Sequence, residues 1–147
     1  MAAPTLDDIY RFIQAEIPNA KGDRLSEETD LFGTFEIQAD ECATFIEKFA
    51  QQFKVDLDGY LWYFHHGEAG LNLGGFLVKP PYQRVERLPI TPAILLKSAT
   101  KRRWKLTYPD HTLPKKRWDM VINKIILFLV FFYLLNRFAP LLLEKFI

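Results

Sequence analysis

Apolar residues recur at helical spacing in three stretches of the chain before residue 105. The first stretch has Phe12 beside a stripe formed by Leu6, Ile9, Tyr10, Ile13 and Ile17. Thr5 precedes the stripe as an N-cap, and Asp8 completes a capping box in which Asp replaces the usual Glu or Gln. Pro18 cannot continue a helix. The pattern therefore predicts a helix that begins after Thr5 and ends before Pro18.

The second and third stretches predict two more amphipathic helices. One has Asp40 as its N-cap and the apolar face Cys42, Phe45, Ile46, Phe49, Ala50 and Phe53. The other begins at the N-cap Thr91, has Pro92 at its first position and ends near Lys101. Between these helices, residues 67–87 are rich in Gly and Pro, which predicts a hairpin or an irregular loop.

The most apolar part of the chain lies near its C-terminal end. Eleven consecutive residues there are apolar: Ile125, Ile126, Leu127, Phe128, Leu129, Val130, Phe131, Phe132, Tyr133, Leu134 and Leu135. Because this stretch is apolar in every direction, it predicts a transmembrane helix better than a core helix of a small domain. Its far end is left open between Asn136 and Leu143. The shorter alternative, Met120 to Asn136, keeps Arg137 out of the hydrocarbon.

Charge is distributed unevenly, although the net charge is only +1. Residues 1–60 carry 13 Asp/Glu and 5 Lys/Arg, whereas residues 61–147 carry 5 Asp/Glu and 14 Lys/Arg. A basic juxtamembrane neck precedes the apolar helix and consists of Lys115, Lys116, Arg117 and Trp118. Under the positive-inside rule this neck predicts an inner-membrane, single-pass, tail-anchored protein whose N-terminal domain is cytoplasmic. Trp118 and Tyr133 are predicted interfacial anchors.

The middle of the chain resembles a known family. Residues 29–32 (Thr-Asp-Leu-Phe), 37–41 (Ile-Gln-Ala-Asp-Glu) and 51–55 (Gln-Gln-Phe-Lys-Val) are similar to the centre of an acyl carrier protein. More closely, residues 5–105 resemble a family of small enterobacterial proteins of unassigned function on a carrier-like scaffold. The resemblance implies a small acyl-carrier-like helical bundle. Together with the Gly/Pro-rich hairpin or loop insertion and the apolar C-terminal helix, which lies outside the resemblance, the expected fold class is mainly α. The expected limits are 1–112 for the domain, 113–119 for the neck and 120–147 for the transmembrane helix and a short tail.

The same resemblance implies that no cofactor is carried. Ala39 occupies the position of the carrier serine, and an alanine methyl group cannot be esterified by phosphopantetheine. Hydroxyls elsewhere, on Ser26, Ser98 and Thr34, are expected to be cap or surface groups. An acyl carrier modified at such an atypical hydroxyl is kept as an alternative.

Other chemistry has weak support in the sequence. His65, His66, Glu68 and His111 lack the spacing of a metal site, and no phosphate-binding loop or nucleophile motif is visible. Lys101, Arg102, Arg103, Trp104 and Lys105 would suit nucleic acid, with Trp104 stacking on a base, but the acidic first half opposes this. The lone Cys42 is expected to be a buried hydrophobic residue in a reducing compartment.

The function predicted from these features is a membrane-anchored, non-enzymatic adaptor or regulator of bacterial origin. Its expected partners are membrane lipid and a protein of unknown identity, without nucleic acid or metal. The alternative from the same features is a membrane-associated immunity protein that neutralises a basic toxin, because an acidic face and an anchor suit that role.

Overall fold

The computed structural model describes residues 3–143, and these residues are mainly helical. The α-helices are α1 (Leu6–Glu16), α2 (Leu31–Thr34), α3 (Ala39–Phe53), α4 (Pro92–Lys101) and α5 (Trp118–Leu143). Single 3-10 turns occur at Gly22–Arg24, Trp62–Phe64, Leu73–Phe76 and Pro81–Gln83. No strand occurs within residues 3–143; an isolated parallel bridge joins Asp56 to Arg103. The mainly helical fold with a long apolar C-terminal helix is thus confirmed, while the predicted tail, residues 144–147, lies outside the described residues.

The chain divides into two compact units. Unit 1 consists of residues 3–69 and 85–111, and unit 2 consists of residues 70–84 and 112–143. The segment 70–84, which the sequence assigned to the N-terminal domain as a hairpin or loop, is grouped with the segment that contains α5. It contains two 3-10 turns and no hairpin strands.

Local capping explains where the helices of unit 1 begin. At α1 the predicted capping box is present: the Thr5 amide donates to Asp8 Oδ2 at 2.9 Å, and the Asp8 amide donates to Thr5 Oγ1 at 3.3 Å. The prediction of Asp40 as the cap of α3 is wrong. Gln38 is the N-cap because its backbone is extended and its amide donates to the Glu41 carboxylate at 3.0 Å. Thr91 caps α4 as predicted, accepting from the Ile94 amide at 3.3 Å.

The apolar stripes of α1, α3 and α4 form one core in unit 1. Phe12 is at its centre, with ring centroids 5.1 Å from Phe45, 5.9 Å from Phe49 and 5.7 Å from Phe53. Around these rings lie further buried side chains: Ile9, Ile13, Leu31, Cys42, Ile46, Leu95 and Ala99. Burying each large apolar side chain contributes about 1.5–3 kcal/mol to stability. The core is therefore built mainly from the residues that the helical spacing predicts.

A hydrogen-bond network centred on Tyr108 closes the other side of unit 1. The Tyr108 hydroxyl accepts from the Leu61 amide at 3.2 Å and from Trp104 Nε1 at 2.9 Å. Because His65 Nδ1 donates to the Leu88 carbonyl at 2.9 Å, its Nε2 is the acceptor for the Tyr108 hydroxyl at 2.8 Å. The hydroxyl thus uses its single proton and both lone pairs, so one oxygen satisfies three partly buried groups.

Replacing Tyr108 by Phe should destabilise unit 1 by about 2–4 kcal/mol, because His65 Nε2, the Leu61 amide and Trp104 Nε1 lose their partner together. Urea unfolding of the full chain in detergent micelles, followed by tryptophan fluorescence, measures the change. Tyr63→Phe is the matched control, since the Tyr63 hydroxyl bonds the ring of exposed His111 and its loss should change stability by less than about 0.5 kcal/mol. Equal stabilities for the two variants would contradict the role given to Tyr108.

Candidate functional site

Helix α5 exposes apolar side chains around its whole circumference. Ile125 and residues 127–135 are each 42–67% exposed, and consecutive residues of a helix point in all directions. Only 11% of the most apolar window in Trp118–Ala139 is buried, and its mean hydropathy is 1.9. By length and composition, α5 could cross a membrane. A helix of a soluble core would instead turn a polar face to water.

The first two turns of α5 differ from the rest because segment 70–84 contacts them through polar side chains. The Asn123 side chain accepts from the Leu73 amide at 2.8 Å and donates to the Leu71 carbonyl at 2.9 Å. Asn72 Nδ2 donates to Asp119 Oδ2 at 2.9 Å. Asp119 is 2% exposed and Asn123 is 5% exposed. We call Asn72, Asp119 and Asn123 the Asn–Asp cluster; it fixes the segment to the helix.

Gly74 allows this close approach between two backbones. A Cβ atom at position 74 would collide with the Asp119 carbonyl oxygen and would lie 2.8 Å from the Asn123 nitrogen. At the neighbouring Gly75 the nearest atoms would be 3.5 Å away, an ordinary contact. Position 74 therefore requires a residue without a side chain, whereas position 75 does not.

The Asn–Asp cluster determines where the exposed apolar surface of α5 begins. Met120, Val121 and Ile122 are only partly exposed, and Asn123 is buried, so the uncovered apolar stretch starts at Ile125. The shorter predicted span, from Met120 to Asn136, would thus begin in a part of the helix that protein already covers.

The predicted neck residues occupy different environments. Lys115 and Lys116 are exposed, and Lys116 Nζ lies 4.3 Å from the centroid of the Trp118 ring. Trp118 is the first residue of α5 and is 51% exposed. Arg117 donates to the Asp119 carboxylate, with 2.5 Å between Nη2 and Oδ2. The arginine therefore neutralises a buried carboxylate, while the two lysines leave their charge at the surface.

At the carrier-like position, Ala39 is the first residue of α3. An open hollow of 440 Å³ lies near the start of this helix, and its lining includes the acidic residues Glu16, Glu36, Asp40 and Glu41. Lys48, also in the lining, pairs with Glu16 at 2.6 Å. The lining thus contains four carboxylates and one lysine, which gives the hollow a negative charge.

The alternative hydroxyls are placed differently from one another. Ser98, expected to be a cap or surface residue, is fully buried, and its hydroxyl accepts from the Lys105 amide at 3.0 Å. Ser26 is exposed and its hydroxyl lies 3.0 Å from that of Thr29, while Thr34 ends α2. Burial makes Ser98 inaccessible to a modifying enzyme.

The histidines predicted as weak metal candidates have other partners. His65 uses both ring nitrogens in the Tyr108 network, and burial lowers its pKa to about 4. His66 Nδ1 lies 2.7 Å from the Gly67 carbonyl, and burial lowers the pKa of this histidine as well. Within residues 3–143, no group of three or more His, Cys, Asp or Glu side chains could hold a metal ion.

Two further sequence hypotheses can be checked against burial. Trp104 is only 5% exposed and its Nε1 donates to Tyr108, so the idea that it stacks on a nucleic-acid base is wrong. The Trp104 backbone is also held in unit 1, because its amide donates to the Asp56 carbonyl at 2.8 Å.

Cys42 is 1% exposed, as predicted, and burial raises the pKa of its thiol to about 12. This thiol is therefore protonated and unreactive.

Comparison of the chain with protein-family models, curated proteins and solved structures gives no match. The resemblance to acyl carrier proteins therefore stays a prediction, and arguments about function must come from the contacts within this chain.

The Asn–Asp cluster was not predicted from the sequence. One signal for it was present: Asp119 and Asn123 are four residues apart and thus share one face of an otherwise apolar helix. A buried polar pair at that spacing requires partners. Nothing local identified Asn72 and the backbone of Leu71 and Leu73 as those partners, because they lie about fifty positions earlier in the chain.

Gly74→Ala should weaken the attachment of segment 70–84 to α5 by about 1–3 kcal/mol, because the added methyl group forces the two backbones apart. Hydrogen exchange of the Leu73 and Gly75 amides, measured by mass spectrometry in detergent micelles, should accelerate accordingly. Gly75→Ala is the matched control and should leave both amides close to their original exchange rates. Unchanged protection in Gly74→Ala would show that the close approach is not needed.

Proposed function

We propose that this protein is a non-catalytic, membrane-anchored adaptor in which α5 inserts into the bilayer and unit 1 binds a protein partner in the cytoplasm. The observation that carries the anchor is the ring of uncovered apolar side chains from Ile125 to Leu135. Each large apolar side chain gains about 1.5–3 kcal/mol on leaving water. Ten such side chains, Ile125 and residues 127–135, are exposed on one helix and favour lipid strongly.

The proposed span runs from Ile125 to the end of α5 at Leu143. From Ile125 to Asn136 the helix rises by about 17 Å, which is too short for a hydrocarbon core of about 30 Å. From Ile125 to Leu143 it rises by about 27 Å, which fits with modest thinning of the bilayer. Arg137 then lies about 9 Å before the end, where a long side chain can extend its guanidinium towards the far interface.

The basic residues of unit 2 support the proposed orientation. Lys115, Lys116 and Lys124 are exposed at the N-terminal side of the apolar stretch. Each such lysine near an anionic membrane surface contributes about 1 kcal/mol of attraction. Under the positive-inside rule they favour a cytoplasmic location for the residues that precede α5.

The anchor is tested by placing one charge in the middle of the apolar stretch. Val130→Lys should oppose insertion by about 2.5–3.5 kcal/mol, which lowers the membrane-bound to soluble ratio roughly a hundredfold. Flotation with liposomes and resistance to carbonate extraction measure that ratio.

Gln51→Lys, at an exposed position on α3, is the matched control and should float like the original chain. The anchor proposal fails if carbonate extracts the original chain from membranes. A Gln51→Lys chain that floats less well than Val130→Lys would also contradict the anchor proposal.

Partner binding by unit 1 is supported by its charge and by the hollow near α3. By sequence, residues 3–69 and 85–111 carry 16 Asp/Glu and 11 Lys/Arg. Glu36 and Asp40 are exposed in the hollow of 440 Å³. A concave surface with unneutralised carboxylates suits a basic segment of a partner, because complementary charge guides association. We therefore propose that the partner presents Lys or Arg side chains to this hollow.

The double variant Glu36→Gln/Asp40→Asn should lower partner capture several-fold at low salt, with a smaller difference at high salt. Capture is measured by pull-down with the full-length chain from detergent-solubilised membranes. The control variant, Glu28→Gln/Glu47→Gln, removes two exposed carboxylates that do not line the hollow. Equal capture by the two double variants would contradict the proposed binding surface.

A further inference from the structure

Segment 70–84 carries large apolar side chains that point into solvent. Leu71 is 66% exposed, Phe76 is 86% exposed and Leu77 is 72% exposed. We call these three residues the apolar collar. Their exposure matches or exceeds that of the apolar residues of α5, although the segment is too short and too irregular to cross a membrane. Three such side chains within seven residues of a water-exposed loop require an explanation.

The attachment of the segment to α5 places the collar at one level of that helix. Leu71 is held through its carbonyl by the Asn123 side chain, and the turn Leu73–Phe76 is held through the Leu73 amide. Gly74, two residues before Phe76, contacts the backbone of Asp119 and Asn123 directly. Asn123 precedes Ile125, the first residue of the uncovered apolar stretch, by a rise of only about 3 Å. The backbone that carries the collar is therefore attached to the turn of α5 that precedes the uncovered stretch.

The charges around the collar identify the chemistry of what covers it. Leu71, Phe76 and Lys79 line the same open hollow of 520 Å³. By sequence, residues 70–84 contain Lys79 and Arg84 and no acidic residue. In residues 112–143 the only acidic residue is Asp119, which Arg117 neutralises. Apolar side chains next to basic side chains fit the boundary between the acyl chains and the anionic headgroups of a bilayer.

We infer that the apolar collar inserts into the interfacial layer of an anionic membrane, as a second contact beside α5. The inference rests on the proposed function, since α5 must be in the bilayer for the collar to reach it. Side chains inserted at this boundary lie about 5–10 Å deep. With a helix and a collar both in contact with lipid, unit 2 has a defined depth and a defined rotation about the axis of α5.

The test measures the depth of single fluorescent labels in vesicles of phosphatidylcholine and phosphatidylglycerol. Cys42 is first replaced by Ala, so that Phe76→Cys, Leu77→Cys, Phe128→Cys and Gln51→Cys each carry one thiol for a bimane label. Phe76 and Leu77 report on the collar, Phe128 on the helix, and Gln51 is an exposed control on α3. Each full-length chain is reconstituted and quenched by aqueous iodide, by lipid with a nitroxide near the headgroup, and by lipid with a nitroxide deep in the acyl chain.

We expect labels at positions 76 and 77 to be quenched most by the shallow nitroxide, and several-fold less by iodide than the label at position 51. Iodide quenching at 76 and 77 equal to that at 51 overturns the inference; if the label at 128 is then still quenched by the deep nitroxide, the proposed anchor stands. Shielding of 76 and 77 from both iodide and lipid nitroxides also overturns the inference, since protein then covers the collar. Failure of lipid nitroxides to quench the label at 128 overturns the anchor itself.

Discussion

The side-chain amide of Asn123 is the constraint on which unit 2 depends. An amide on a helix that enters lipid must find hydrogen-bond partners within the protein, because hydrocarbon offers none. The Asn123 amide forms hydrogen bonds with the backbone of Leu71 and Leu73. The Asp119 carboxylate accepts hydrogen bonds from Asn72 and Arg117. These bonds attach a distant segment to α5 and cover its first two turns. They therefore decide where the uncovered apolar surface of the helix begins.

The two units bury different kinds of side chain. Unit 1 buries its aromatic side chains internally and satisfies partly buried polar groups through the single hydroxyl of Tyr108. Unit 2 satisfies its polar groups internally and leaves its apolar side chains outside. Charge follows the same division, because the acidic excess belongs to unit 1, whereas the described part of unit 2 is rich in Lys and Arg. This division is consistent with the proposed adaptor, which would use one surface for lipid and another for a basic partner.

Sequence periodicity predicted the parts of the fold that depend on local spacing. The caps of α1 and α4 and the stripe of α1 were predicted correctly, because the interactions that define them lie within four residues. The start of α3 was misplaced because Gln38 and Asp40 can both cap a helix, and the reciprocal bond to Glu41 decides between them. Trp104 and segment 70–84 could not be placed, since their partners Asp56, Asp119 and Asn123 lie far away along the chain and are chosen by tertiary contacts that no local pattern records. The candidate anchor was visible in sequence, but its starting point was not.

The grouping of segment 70–84 with α5 also changes the interpretation of the predicted neck. A single flexible tether at residues 113–119 would let a soluble domain move freely above the membrane. The chain instead passes between the two units at three places, near residues 69, 84 and 111. The two units are therefore joined by three covalent connections rather than one.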